Sequence, residues 1–453
     1  MKAVKGEEKD FINGSIKRAI FMLSIPMILE MVMESLFAVV DIFFVGKVSV
    51  NAVATVALTE SVVMIIYAIA IGLSMAATAV VARRIGEKQE DKAAEAGMQA
   101  IFIAGFISIL FSAVGIFFAK DILRLMGGEA SLVEEGYGYT KIMLGGNITV
   151  MLLFLINAIF RGAGDASVAM RVLWIANGLN IILDPIFIFG LGPIPAFGVD
   201  GAAIATNTGR GVGVLIQIFV LTSAKSVIQI AWRHVKLQWE VIMNLVKISL
   251  GGIGQYMIGT FSWLFLVRIS AVFGSEVLAG YAIAFRIIMF TILPSWGLAN
   301  ASATLVGQNL GAQQPSRAEE SVWKCAYYNM IFLAIVSLVF GVWAEEFVRM
   351  FSAVDEVVRY GALALRVICF GYVFFAYGMV IGQSFNGAGD TKTPTVINFF
   401  CFWMFEVPLA WILSRTFDFG PFGIFLAIAI ALVLYAIVSI FIFKKGNWKT
   451  VQV

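Results

Sequence analysis

Two aspartates lie in stretches of the chain where a carboxylate is energetically expensive. Asp41 lies in LFAVVDIFFVG and Asp184 in GLNIILDPIFIFG, and both segments are otherwise apolar enough to lie in a bilayer. A charge at the bilayer centre costs about 2.5 to 3.5 kcal/mol on insertion scales, so such acids usually face a cavity or a partner. Two neighbouring carboxylates repel each other, and either a shared proton or a bound Na⁺ relieves that repulsion. These residues therefore predict cation binding.

Further oxygen ligands come at helical spacing around Asp184. Asn177, Asn180 and Asp184 follow the i, i+3, i+7 pattern of one helix face. Pro185 has no N–H, so the carbonyl four residues earlier, at Ile181, loses its helical donor. That carbonyl is one more oxygen that a cation could use.

The depth of the polar residues in their apolar stretches predicts that they meet. At about 1.5 Å rise per residue, Asp41 and Asp184 lie roughly 7 to 9 Å below the same membrane surface, and Thr206 lies near 11 Å. We therefore predict one cation site formed by Asp41, Asn180, Asp184 and Thr206, for either H⁺ or Na⁺. The alternative is that these side chains only hydrogen-bond helices together.

A second set of residues could contact a cargo molecule. Glu30 and Glu34 share the helical stripe of Asp41, and flexible methionines and aromatic rings flank the same region. Such residues are typical of a promiscuous, cation-tolerant pocket, although most Met and Phe in a membrane chain face lipid or pack. The candidate cargo contacts are Glu30, Met31, Met33, Glu34, Phe37, Asn177, Gln255, Tyr256, Met257, Trp263 and Arg286.

The elements that must position these residues are membrane helices. The chain has 453 residues, of which 60% are hydrophobic and only 13% charged. Its apolar runs of roughly 20 to 25 residues each suffice to cross a bilayer, and they lack the two-residue alternation of barrel strands. The composition predicts an all-α polytopic membrane protein with twelve transmembrane helices. The predicted spans are 19–45, 53–80, 95–119, 138–160, 167–190, 199–223, 244–272, 277–303, 322–343, 359–384, 394–414 and 422–443.

The chain contains an internal duplication. FRGAGD at 160–165 returns as FNGAGD at 385–390, and the same offset of 225 residues relates ARRIGEKQEDKAAEA at 82–96 to GQNLGAQQPSRAEES at 307–321. Each half holds an even number of predicted spans, so the two repeats are parallel, related by an axis along the membrane normal. Two lobes of this kind face each other across a cleft, where transporters of this build bind cargo.

The duplication predicts the domain boundaries. The amino-terminal lobe takes residues 1–224, a basic cytoplasmic linker takes 225–243, and the carboxy-terminal lobe takes 244–453. The acids are not duplicated with the scaffold, because Asp41 becomes Leu266 and Asp184 becomes Leu409 at the same offset. The cation site is therefore expected in the amino-terminal lobe alone.

The carboxy-terminal lobe has charges of its own. Arg286 and Glu406 fall at similar depths of about 13 Å in their spans. An ion pair between them is one interpretation, and contact with cargo is the other.

The remaining charges and the cysteines bear on orientation and chemistry. Most Lys and Arg near span ends lie on the side of the two termini, which predicts that both termini are cytoplasmic. We expect a multi-pass protein of the prokaryotic cytoplasmic (inner) membrane. Scattered Cys325, Cys369 and Cys401 predict neither a disulfide framework nor a metal site. His234 lies in a basic loop, where we expect a solvated residue. No cofactor is expected besides the coupling ion.

The chain resembles the multidrug and toxic compound extrusion (MATE) family over essentially its whole length. The features that carry the resemblance are PMILEMVMESLFAVVDIFFVG, the paired RGAGD and NGAGD loops, and GLNIILDPIFIFG. The resemblance implies a two-lobed, V-shaped antiporter that exports organic cations and other amphiphilic drugs in exchange for H⁺ or Na⁺. It also implies an amino-terminal cation site of the DinF-like and archaeal kind, at Asp41, Asn180, Asp184 and Thr206.

One alternative function has the same architecture. A flippase for lipid-linked oligosaccharide would share the fold but would need a strongly cationic cavity for pyrophosphate, whereas the inferred cleft is acidic on its amino-terminal side. An enzyme is not expected, because no HExxH, GxSxG or paired His/Cys arrangement occurs. The expected partners are small cationic or amphiphilic molecules and membrane lipids, with no nucleic acid and a monomeric state. The coupling ion remains open between H⁺ and Na⁺.

Overall fold

The protein is described here from a computed structural model that covers residues 2–6, 10–223 and 226–453. The predicted boundary between lobe and linker at 224–225, and the basic residues Lys9 and Lys225, lie outside the described residues. Within the described part the chain is helical from end to end, and Leu191 and Ile194 form its one isolated bridge.

Twelve long helices make up the described part of the chain. Eleven of them, all but the first, are long and apolar enough to cross a membrane. The first helix is 30 residues long. The long helices are α1 Ile16–Val45, α2 Val50–Gly86, α3 Glu90–Leu125, α4 Ala130–Ala163, α5 Ala166–Phe189, α6 Val199–Thr222, α7 Trp239–Ala271, α8 Ser275–Gly311, α9 Pro315–Val342, α10 Asp355–Gly387, α11 Lys392–Thr416 and α12 Gly420–Lys444. Short helices occupy Lys2–Lys5, Trp232–His234, Ala344–Arg349 and Asn447–Thr450.

The predicted all-helical membrane fold is confirmed, but several helices are longer than the apolar runs. Helix α2 has 37 residues, which corresponds to roughly 55 Å at 1.5 Å per residue, well beyond the hydrocarbon thickness. The extra turns carry polar residues such as Arg83 and Arg84 beyond the apolar run. Hydropathy alone detects the part of a helix that lies in lipid and not its ends.

The two six-helix halves contact each other through their first two helices. Helix α1 packs on α8 and α2 packs on α7, so each lobe offers the same two repeat-related helices to the other. The close approach depends on glycines: a Cβ at Gly72 of α2 would lie 2.6 Å from the carbonyl oxygen of Ser249, and one at Gly297 of α8 would lie 2.7 Å from that of Met27. Small residues let helix backbones approach where no hydrophobic force drives association.

One face of the molecule is closed by contacts between the lobes. We call it the terminal face; it contains the ends of α2 and α8 together with the loop that follows α4. A Cβ at Gly86 would overlap the carbonyl group of Gln308, and one at Gly311 would overlap that of Arg83. The Gln308 side chain also donates to the carbonyl oxygen of Gly162 at 3.0 Å. The loops that the duplication predicts are thus packed against each other at this face.

Two helices are irregular in ways that hydropathy does not indicate. Helix α4 is interrupted at Gly146 and Asn147, and the Asn147 amide donates to the carbonyl oxygens of Ser108 and Leu144 at 3.1 and 2.6 Å. Helix α11 widens into π-helical turns at Phe399–Glu406 and again at Ile412–Thr416. Single π-helical turns often occur at functional sites.

Candidate functional site

The four residues of the predicted cation site lie together in the amino-terminal lobe. Asp184 is 0% exposed and Asn180 is 1% exposed on α5. The Asn180 amide donates to Thr206 Oγ1 of α6 at 3.1 Å. Asp41 of α1 lies close enough to Asp184 for their charges to interact. Three helices therefore bring two carboxylates, an amide and a hydroxyl to one place.

The oxygen atoms of this cluster are poorly satisfied by the rest of the protein. Both carboxylate oxygens of Asp184, one of Asp41 and the amide oxygen of Asn180 are buried and accept no hydrogen bond from a described group. Buried polar atoms are nearly always hydrogen-bonded, so several orphan oxygens at one point indicate a missing positive partner. The arrangement suits a small cation or a proton.

A third acid near this cluster does not appear among the predicted site residues. Glu60 of α2 lies close enough to Asp41 for their charges to interact. Glu60 could have been recognised from the sequence, because it is the one acid inside an otherwise apolar second span, TVALTESVVMII. The local negative charge is thus larger than the sequence reasoning assumed.

Arg210 of α6 is the main functional residue that sequence reasoning missed. It is 3% exposed, its Nη2 lies 3.7 Å from Glu34 Oε1, and its Nη1 donates to the Tyr67 hydroxyl at 3.1 Å. The guanidinium also lies 5.3 Å from the centroid of the Phe37 ring. Asn177 donates to the other oxygen of Glu34 at 2.9 Å. The signal was a single Arg in the apolar sixth span, one helical turn after Thr206.

Glu30 is buried in a separate ion pair. Its Oε1 accepts from Arg161 Nη1 at 2.6 Å and from the Asn157 amide at 3.0 Å. Asn157 in turn accepts from Gln217 at 2.7 Å. The ion pair with Arg161 joins α1 to α4. Because Glu30 is also only 1% exposed, it offers no free charge to cargo. Both acids that the sequence predicts at the amino-terminal side of the cleft, Glu30 and Glu34, thus have an arginine partner.

Two connected cavities lie between the lobes. The first, of about 390 Å³, is lined by Met31, Glu34, Tyr67, Arg161 and other residues of α1, α2, α4 and α8. The second, of about 470 Å³, lies on the carboxy-terminal side and is lined by Gln255, Tyr256 and Trp263. Tyr256 contributes to both. Five of the predicted cargo contacts thus line one cleft.

The other predicted cargo contacts lie elsewhere. Met33 and Phe37 are buried on α1, and Met257 is half-buried on α7; none of the three lines these cavities. Gln255 reaches the cleft, but its amide is engaged with Asn386 at 2.9 and 3.1 Å. The remaining predicted contacts, Glu30 and Asn177, take part in the contacts already described.

Arg286 does not form the expected ion pair with Glu406. Its side chain is exposed on the outside of α8, whereas Glu406 is 5% exposed and accepts a hydrogen bond from Ser262 at 2.9 Å. Similar depth in two helices did not bring the side chains together, because Glu406 of α11 lies on the side of α8 that carries Tyr281 and Ile288, whereas Arg286 lies on the exposed side of α8. The same geometry removes Arg286 from the cargo cleft.

Comparison with known proteins agrees with this architecture. A probable multidrug resistance protein NorM from Thermotoga maritima is 24% identical over 434 residues, which are 96% of this chain and 93% of that protein. A solved structure of a multidrug resistance MATE family transporter of the MOP superfamily, in an outward-facing conformation, is 26% identical with a TM-score of 0.90, covering 99% of this chain and 98% of that one.

A further solved structure comes from Pyrococcus furiosus. This MOP superfamily transporter, whose binding pocket is described as having reverse polarity, is 25% identical with a TM-score of 0.90, covering 100% of this chain and 99% of that one. The sequence model of the MatE family matches residues 26–186 and 248–412, one segment in each lobe. The chain is therefore a membrane transporter of the MATE family and not an enzyme.

Proposed function

We propose that this transporter is a cation-coupled antiporter that exports cationic and amphiphilic drugs by alternating access. The coupling site is Asp41, Asn180, Asp184 and Thr206, and its occupant is a proton shared by the two aspartates, with Na⁺ as the competing cation. The observation that carries the proposal is Asp184, whose two carboxylate oxygens are buried beside Asp41 without a hydrogen-bond partner in the described chain.

The cation changes the balance of forces in the amino-terminal lobe. Two close carboxylates in a low-dielectric site repel each other strongly, and one proton or one Na⁺ between them relieves the repulsion. When the cation leaves, separation of α1 from α5 lowers the repulsion between the two carboxylates. Because α1 also packs on α8 at Met27 and Gly297, a movement of α1 is transmitted directly to the other lobe.

The distribution of charge and the closed face support the proposed orientation in the membrane. Arg83, Arg84, Lys88 and Lys92 lie at the terminal face, and such residues are retained in the cytoplasm. The likeness to a structure described as outward-facing supports the same assignment. In the proposed arrangement the terminal face, with both termini, is cytoplasmic, and the protein lies in the prokaryotic inner membrane as a monomer surrounded by lipid.

The cargo class rests on the cleft and on the relatives. The cleft combines methionine and aromatic side chains that repack around different shapes. The similar proteins include a probable multidrug resistance protein NorM and a multidrug export protein MepA from Staphylococcus aureus. A lipid-linked oligosaccharide is the less favoured cargo, because the two arginines near the cleft are already paired with acids and leave no cationic surface for pyrophosphate.

The test is coupled export in proteoliposomes. Asp184→Asn removes the charge and keeps the shape, so it should abolish ethidium export driven by an imposed ion gradient while the protein still purifies normally. The matched control is Asp121→Asn, the same change at an exposed site near the end of α3, which should export at the wild-type rate. Wild-type export by Asp184→Asn would reject the coupling site.

A further inference from the structure

A third cavity lies deeper in the carboxy-terminal lobe. It has a volume of about 240 Å³ and is enclosed by α7, α8, α10, α11 and α12. Trp263, Phe285, Met289 and Phe402 line both this cavity and the carboxy-terminal part of the interlobe cleft. The cavity therefore adjoins the cleft, and these four side chains lie between the two.

One carboxylate lines this cavity without a cationic partner. Glu406 is 5% exposed, and its one hydrogen bond is the 2.9 Å contact donated by the Ser262 hydroxyl. No Lys, Arg or His is present among the described residues that line the cavity. Glu406 also ends the π-helical stretch of α11, and the following Pro408 cannot donate to the backbone there. An acid in such surroundings is stable either as a neutral, protonated group or as a carboxylate beside a positive partner, and the open cavity leaves room for such a partner.

Aromatic rings surround the carboxylate. Trp263 stacks on Phe285 with 5.2 Å between centroids, Phe285 lies 6.4 Å from Tyr281, and Tyr372 lies 6.4 Å from Phe375. The faces of such rings attract desolvated organic cations, and cages of this kind hold quaternary ammonium groups. The Trp263 indole N–H has no partner in the described chain, so the lining also retains one unused donor.

The fixed charges of the other lobe are already engaged. Glu30 is paired with Arg161, and Glu34 lies against Arg210. Asp41 and Asp184 lie within the proposed coupling site rather than on the shared cleft. Of the two described acids that line the cleft or the adjoining cavity, Glu34 and Glu406, only Glu406 has no cationic partner.

We infer that the Glu406 pocket is a binding site for the cationic group of a small aromatic or alkyl ammonium compound, with the carboxylate as counter-ion and the rings of Trp263, Phe285, Tyr281 and Tyr372 as its cage. The inference depends on the proposed function in one respect, namely that the bound compound is cargo for export. The pocket itself binds the cation without any ion gradient. It places cargo recognition in the carboxy-terminal lobe and ion coupling in the amino-terminal lobe.

The test is equilibrium binding to the purified protein without a gradient. The probes are radiolabelled phenyltrimethylammonium and tert-butylbenzene, its uncharged isostere. Glu406→Gln should weaken binding of the cation by about tenfold or more, as expected when a desolvated charge pair loses one partner, and should leave the isostere unaffected. Glu276→Gln, the same change at an exposed acid of α8, should bind both probes as the wild type does. Unchanged cation binding by Glu406→Gln, or an equal loss of both probes, would overturn the inference.

A second variant keeps Glu406 in place, in case its substitution prevents folding. Gly259 lines both the cleft and the pocket, and a Cβ at this position meets no atom within 4 Å. The three native cysteines are buried, so a thiol reagent should label Gly259→Cys selectively. Phenyltrimethylammonium should slow that labelling several-fold. Labelling that is indifferent to saturating cation would reject the pocket.

The same variants distinguish a failure of the Glu406 pocket from a failure of the proposed coupling site. Asp184→Asn should bind phenyltrimethylammonium as the wild type does in the gradient-free assay, although it exports nothing. Loss of cation binding in Asp184→Asn with normal binding in Glu406→Gln would place cargo recognition in the amino-terminal lobe and overturn the inference, while the coupling site would remain.

Discussion

Arg210 and Glu34 form an ion pair in the middle of the amino-terminal lobe, with 3.7 Å between Nη2 and Oε1. The Arg210 side chain is 4% exposed and that of Glu34 is 19% exposed, so both charges are largely removed from water. The pair connects α6 to α1, and the hydrogen bond to Tyr67 adds α2. It lies beside the proposed coupling site, because Arg210 is also close enough to Asp41 for their charges to interact.

Breaking this pair from one side should destabilise the protein strongly. Arg210→Met leaves Glu34 buried without a counter-ion, a change that typically costs about 3 to 5 kcal/mol. The double variant Arg210→Met with Glu34→Gln removes both charges and should recover part of that loss. Thermal unfolding of the purified proteins measures both. Equal stability of the single and double variants would show that the two charges do not depend on each other.

The coupling ion is decided by imposing the two gradients separately. A shared proton relieves the repulsion between Asp41 and Asp184 without a coordination shell, whereas Na⁺ has to be surrounded by several oxygen ligands. We expect a pH gradient alone to drive ethidium export in proteoliposomes, and Asp41→Asn to abolish it. Export driven by Na⁺ at equal pH on both sides, and indifferent to the proton gradient, would identify Na⁺ as the ion instead.

The closed terminal face depends on glycine. Gly311→Ala places a methyl group against the backbone carbonyl of Arg83, which cannot move aside as a flexible side chain would. We expect the ends of α2 and α8 to separate, so that a spin-label pair placed on them reports a longer mean distance. Gly341→Ala on α9 is the matched control, because a Cβ there meets no atom within 4 Å. A distance distribution identical in both variants would contradict this role for Gly311.

The segment before α1 should respond to acid. Asp10 accepts from the Asn13 amide at 2.9 Å and from the backbone N–H groups of Ile12 and Asn13 at 3.0 and 3.2 Å. Its hydrogen bond from the Asn13 side chain lowers the pKa of Asp10 below its usual value, and the two backbone hydrogen bonds act in the same direction. Because the pKa of Asp10 is lower in the folded state, its carboxylate stabilises the turn at pH values above the ordinary pKa of about 3.9. This stabilisation is lost as the pH falls through the pKa of the folded state.

Hydrogen exchange of residues 10–15, corrected for intrinsic rates, measures this response. Protection at Ile12 and Asn13 should be present at neutral pH and lost below about pH 3 to 4. Asp10→Asn should remove the pH dependence, because its amide does not titrate. Protection that is independent of pH in the wild type would show that the carboxylate does not hold the turn.

The sequence alone predicted the architecture and the four residues that we propose as the coupling site. Long apolar runs can be satisfied in a bilayer only as helices, and a repeated motif at a constant offset identifies the duplication without coordinates. The depths of Asp41, Asp184 and Thr206 could be estimated because a helix has a constant rise per residue. The structure brings these residues together as predicted, while their role as a cation site stays a proposal.

Only the tertiary structure decided which charges are paired and which are left free. Depth along a helix is a local quantity, but the direction of a side chain relative to neighbouring helices depends on how each helix is rotated in the bundle. For this reason Arg286 could be assigned the right depth and still point away from Glu406, and Arg210 could pass unnoticed until packing placed it against Glu34. The packing leaves Asp184 and Glu406 as buried acids without a cationic partner, one in each lobe, and no pattern in the sequence distinguishes them from the paired Glu30.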